Sequence, residues 1–170
     1  MRALFLFIVL FPLVGSAEPS KCYGTTSKGS LSNGVKLPQS GKNYVGYSLA
    51  ARIAGRTYVH SEVRKIIVDS YQSLESEQPD KVYKYAETGL KNGGLFKPHK
   101  THQNGLSVDF MTPVTDKNGK SVHLPTNLLN KLGYNIEFGS NNKYKSYNID
   151  FVALAAHIVQ LHKHAKKNGH

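Results

Sequence analysis

The run His99-Lys100-Thr101-His102-Gln103-Asn104-Gly105-Leu106-Ser107-Val108-Asp109 constrains this chain more than any other segment, because it gathers two imidazoles and a carboxylate around one glycine. Neutral imidazole and carboxylate are donors suited to Zn²⁺, and a catalytic zinc takes three protein ligands and a water. His102 and Asp109 can meet if a loop folds back over the strand that follows it, and Gly105 supplies the backbone freedom for that turn. The alternation of Leu106-Ser107-Val108-Asp109-Phe110-Met111 reads as that strand. Leu106, Val108 and Phe110 would face one way, with Asp109 pointing away from them.

Spacing alone carries little weight, since chance would produce a His-x6-Asp pair in roughly one of four chains of this composition. The full string says more. His-Gln-x-Gly-Leu-x-x-Asp preceded by His-x-x resembles the zinc motif of the penicillin-insensitive murein endopeptidases, members of the LAS group of peptidoglycan metallopeptidases. The resemblance implies a LAS/Hedgehog-like fold and a zinc peptidase acting on the peptide cross-bridges of peptidoglycan. It places the first two zinc ligands on His102 and Asp109, and an additional active-site histidine on His99. It also implies a later His-x-His strand that supplies the third ligand and the main proton carrier.

The single His-x-His here is His162-Lys163-His164, and its setting is helical. Phe151, Leu154, Ala155, Ile158, Leu161 and Ala165 form an apolar stripe, with Asp150 or Asn148 as N-cap and Gly169 at the end. Residues two apart on a helix diverge by roughly 200°, so these two imidazoles cannot share one metal. They read as solvated, as does the stripe of His157, Gln160, His164 and Lys167. The expectation is therefore a C-terminally incomplete domain, whose third ligand and general base lie beyond residue 170 and which on its own binds zinc weakly and hydrolyses peptidoglycan poorly.

Met1-Arg2, the apolar run from Ala3 to Val14 and Gly15-Ser16-Ala17 have the layout of a cleaved secretory signal. This leaves residues 18–170 as a single metallopeptidase-like domain in the periplasm or outside the cell, with no membrane span after cleavage. Cys22, the only cysteine, is a free thiol or an intermolecular partner, and no lipobox precedes it. The net charge of +11 favours anionic polymers. The lysines are dispersed, however, and no nucleic-acid motif accompanies them, which argues against nucleic acid. No Gly-Lys-Ser/Thr or Rossmann pattern is present, so no nucleotide site is expected.

Elsewhere, residues 21–46 read as an irregular arm with one short strand, and Leu49–Ala54 as a short helix ended by Gly55. Ser61 can cap a helix carrying Val63, Ile66, Ile67, Tyr71 and Leu74 and ending before Pro79, with His60 as a cap or surface residue. Strands are predicted at 82–86 and 134–138. A hairpin is predicted across Asn118-Gly119, with His123 on its return arm in a surface or sheet-face role rather than reaching the site across the sheet. The order implies an α+β domain, a small mainly antiparallel sheet with helices packed on it. Two other functions compete with the zinc peptidase: a non-catalytic or decayed wall-binding homologue, and a secreted nucleic-acid-binding module that rests on charge alone.

Overall fold

A computed structural model describes residues 18–170; the proposed signal sequence at 1–17 lies outside the described residues. The chain is α+β, with short strands grouped in small sheets around two long helices. The segment 21–46, expected to be nearly irregular, holds four strands. β1 (Lys21–Thr25) and β2 (Lys28–Ser32) form an antiparallel hairpin, followed by β3 (Val35–Lys36) and β4 (Tyr44–Gly46). Its Gly, Ser and Lys content hid them, because β1 is exposed along its whole length and shows no alternation of burial.

Helix α1 (Leu49–Ile53) is capped by the Ser48 side chain and followed by Gly55 at φ +76°. β5 (Tyr58–Val59) pairs with β3 and leads into α2 (Ser61–Glu77). The cap of α2 is His60, whose Nδ1 accepts from the Glu62 amide, and Ser61 is its first helical residue. β6 (Tyr83–Tyr85) is central: it runs parallel to β4 and antiparallel to β7 (Phe110–Met111). The predicted hairpin is present as β8 (Val114–Thr115) and β9 (Ser121–Val122), with Asp116 Oδ1 accepting from the amides of Asn118 and Lys120. β10 (Lys143–Tyr144) and β11 (Tyr147–Ile149) complete a four-stranded sheet in the order β10-β11-β8-β9.

Residues 134–138, expected as a strand, form an irregular turn instead. They follow a kinked 3-10 segment, Leu128–Gly133, in which Lys131 and Leu132 both have positive φ, and the amides of Asn135 and Ile136 fold back onto Asn130 O and Gly133 O instead of a neighbouring strand. Helix α3 (Phe151–Lys167), capped by Asp150, matches its predicted span.

The central β4-β6-β7 sheet separates two apolar clusters, as strand alternation requires. Tyr83, Tyr85 and Phe110 face Leu37, Tyr44, Val59, Ile67, Tyr71, Leu74 and Ala153. Ala86 and Met111 face Tyr47, Ala51, Val114 and Leu124. With no tryptophan in the chain, stacked tyrosines fill the first cluster: Tyr44 lies on Tyr71 with centroids 4.4 Å apart.

The face that α3 buries differs from the expectation. Ala153, His157 and Gln160 are inside, while Phe151, Ile158 and Val159 are exposed. Small Ala153 admits close approach, and α2 offers polar partners: Gln160 Nε2 donates to Glu77 at 2.7 Å, and His164 Nε2 lies 2.9 Å from Ser73 Oγ. The predicted wet stripe of His157, Gln160 and His164 is thus the seam between the two helices. His162 alone of that group's His-x-His is exposed, and neither His162 nor His164 reaches the His102 cluster.

Candidate metal centre

The loop from Gly89 to Asp109 is held from two sides. The β1-β2 hairpin receives it through Gln103 N to Thr26 O at 2.9 Å, and His60 N donates to Gly105 O at 2.9 Å. Gly105 adopts φ +79°, a region that glycine enters freely, so the expected turn is real. His102 also has positive φ, +71°, unusual for a residue with a side chain.

Only Phe110–Met111 of the expected strand is regular, because Leu106 is exposed and does not join Val108 and Phe110 against the core. Asp109 nevertheless pairs with the extension of β6: its amide donates to Glu87 O at 3.0 Å, and its carbonyl accepts from Ala86 N at 2.7 Å. This register turns the Asp109 side chain to the face opposite Val108 and Phe110, toward His102.

His99, His102 and Asp109 form one cluster whose candidate ligand atoms lie within 4.8 Å of one another, and they could hold a metal ion. His102 Nε2 is 3.3 Å from Asp109 Oδ1. The other ring nitrogen, Nδ1, is 3.1 Å from Thr88 O and 3.3 Å from Ser107 O. Carbonyls only accept, so Nδ1 carries the hydrogen and the lone pair resides on Nε2, facing a carboxylate. Two electron-rich atoms so placed call for a proton or a cation between them. Ligands at 2.0–2.1 Å from a tetrahedral zinc are separated by about 3.3 Å, so the His102–Asp109 spacing is one that such an ion would fit. A backbone carbonyl on the far nitrogen is the usual device that fixes a metal-binding imidazole.

Without a metal, burial opposes the imidazolium of His102. The Asp109 carboxylate and the two carbonyls outweigh it and raise the imidazole above its ordinary range. Burial likewise opposes the Asp109 charge, but donation from His102 and Tyr134 holds the carboxyl below its ordinary range. Tyr134 Oη donates to Asp109 Oδ2 at 2.6 Å, and burial together with that carboxylate pushes the phenol well up.

Behind His99 lies a second polar group. Glu87, its side chain 8% exposed, pairs with His99 Nε2. Its Oε1 accepts from Tyr47 Oη at 2.7 Å and from Arg56 Nε at 2.5 Å, and its Oε2 accepts from Arg56 Nη2 at 3.0 Å. Burial works against this carboxylate, yet Arg56 and Tyr47 keep it below its ordinary range, hence ionised. The Arg56 guanidinium lies 4.0 Å above the Phe96 ring, and Phe96 packs against both His99 and His102.

The sequence reading brought out His99, His102 and Asp109, and the fold brings these three together. It missed Tyr47, Arg56, Glu87, Phe96 and Tyr134. The one signal available was a lone acid, Glu87, directly after the strand predicted at 82–86. His60 and His123 stand outside the cluster, His60 as a helix cap and His123 beside Lys84, where burial and that lysine lower its imidazole.

No helix of the described residues is long and apolar enough to cross a membrane. No curated protein sequence matches the chain. The family described as penicillin-insensitive murein endopeptidase matches residues 22–163, a span that includes the whole His99–Asp109 loop, Glu87 and Tyr134, and the chain belongs to that family.

Proposed function

We propose that this protein is a secreted, zinc-dependent murein endopeptidase that hydrolyses peptide cross-links of peptidoglycan in the periplasm or beyond it. Residues 18–170 form its metallopeptidase domain and 1–17 its signal sequence. The observation that carries the reading is the pairing of His102 Nε2 with Asp109 Oδ1 at 3.3 Å while Nδ1 is pinned by two backbone carbonyls. The family supplies the substrate class.

His102 and Asp109 are the zinc ligands in this reading. The chemistry a zinc ion supplies when bound is Lewis acidity toward water and the scissile carbonyl. Tyr134 holds Asp109 in place through Oδ2, leaving Oδ1 for the metal. Phe96, 1% exposed, excludes water from behind both imidazoles. His99, partly exposed beside the two ligands, contacts substrate or moves a proton. The positive surface of the chain, +11 overall, favours an anionic wall polymer.

The test is zinc titration by calorimetry beside muropeptide release from purified peptidoglycan, with His102→Ala and Asp109→Ala as controls. Each substitution is expected to weaken zinc binding at least about 100-fold and to abolish chelator-sensitive release. Zinc binding without release would assign the chain to the non-catalytic wall-binding reading. Release indifferent to chelator and to both substitutions would overturn the metal centre.

A further inference from the structure

Glu87 is buried and ionised. A buried carboxylate is costly unless fully paired, and this one is saturated by four donors: Tyr47, two nitrogens of Arg56, and His99. Three of them would suffice to bury it quietly. The fourth is an imidazole of the metal cluster itself.

An ionised carboxylate only accepts, so His99 Nε2 must carry a hydrogen toward Oε2. In the neutral ring that leaves Nδ1 as the nitrogen with a free lone pair. The ring plane is set independently by Phe96 and Tyr134, whose centroids lie 5.6 and 5.3 Å from that of His99. The carboxylate itself cannot swing, because Arg56 grips both of its oxygens and is in turn held by Lys97 O at 2.9 Å and by the face of Phe96.

We propose that Glu87 is a positioning residue that locks His99 in its Nε2–H tautomer and so presents Nδ1 as the basic atom of the site, with Arg56 and Tyr47 holding Glu87 for that task. The arrangement follows the general logic in which a buried acid orients an imidazole and fixes which nitrogen is basic. It rests on the peptidase reading for the consequence of that tautomer, though the tautomer itself is a property of the folded chain.

Two measurements test it. The first is nitrogen-15 NMR of histidine-labelled full-length protein, which reports the tautomer of His99 directly. The wild type is expected to show the Nε2–H form, and Glu87→Gln to lose that preference, since an amide can also donate to Nε2. The second is steady-state muropeptide hydrolysis, in which Glu87→Gln is expected to lower kcat about 10- to 100-fold with KM little changed. A Nδ1–H tautomer in the wild-type protein overturns the proposal whether or not the variant folds. Unchanged tautomer and kcat in a folded Glu87→Gln variant overturn it too. Should the wild type release no muropeptide, the peptidase reading fails while the NMR measurement still decides the role of Glu87.

Discussion

The Tyr134 phenol donates to Oδ2 of Asp109 at 2.6 Å, on the opposite side of the carboxylate from the oxygen that faces His102. One residue therefore orients the carboxylate and leaves its other oxygen free. Removing that hydrogen bond with Tyr134→Phe keeps the ring against His99 but lets the Asp109 side chain rotate. Loss of such an outer partner lowers metal affinity about 10- to 100-fold. Calorimetric zinc titration should show that loss with little change in melting temperature. An unaltered affinity would mean that the phenol plays no part in holding the ligand.

The backbone of His102, at φ +71°, is a second place where the site is set against the fold. Residues with a Cβ lose roughly 1–2 kcal/mol in the left-handed region, and such conformations persist where a function requires them. Comparing His102→Ala with His102→Gly isolates the backbone contribution, because both remove the buried ring. The glycine variant should be the more stable by about 1 kcal/mol in urea denaturation, despite glycine's greater unfolded-state entropy. Equal stability, or a more stable alanine variant, would show that the turn carries no strain.

Gly105 allows a sharper forecast. A Cβ there would lie 2.7 Å from Leu31 Cδ2 and 2.9 Å from the amide nitrogen of His60, which donates to the Gly105 carbonyl. The leucine can shift, but the backbone of His60 cannot do so without opening the loop that carries His102 to Asp109. Gly105→Ala should cost about 1–3 kcal/mol and lower the melting temperature by about 5 °C. It should also reduce zinc affinity, because the two ligands stand on either side of this turn. Thermal denaturation with and without zinc measures both effects.

His102 and Asp109 were legible in the sequence because seven residues of local chain bring them together, with a glycine marking the reversal. Tyr47, Arg56, Glu87 and Tyr134 converge from four separate segments, and no local period records that convergence. In α3 the helical period was readable but the buried face was not. Of the predicted stripe Leu161 packs on the core but Phe151 and Ile158 stay exposed, while Ser73 and Glu77 of α2 draw His164 and Gln160 inward. The short strands β10 and β11 escaped notice for a related reason, since two or three residues are too few to show alternation.

The face that α3 turns inward buries one imidazole, and this makes the stability of the protein depend on pH. His157 is 3% exposed among Tyr71, Tyr83 and Phe110, with centroids 5.2, 5.1 and 4.8 Å away, and its Nε2 has no hydrogen-bond partner among the described residues. Burial in that apolar box lowers its pKa to about 4. In the unfolded chain a histidine titrates near 6.5. Between those values the unfolded chain binds a proton that the native protein refuses, so stability falls as pH drops from about 6.5 to about 4, by about 2–3 kcal/mol. His102 acts with the opposite sign in the metal-free protein: its raised imidazole adds stability below about pH 6.5 that is lost as pH rises through its folded value. Comparing wild type with His157→Phe cancels that contribution, because His102 is present in both. The aromatic variant keeps the packing against Tyr71 and Tyr83 but has no proton to gain, so its urea-denaturation profile should be flatter across this window. Parallel profiles for the two proteins would mean that His157 takes up its proton inside the fold.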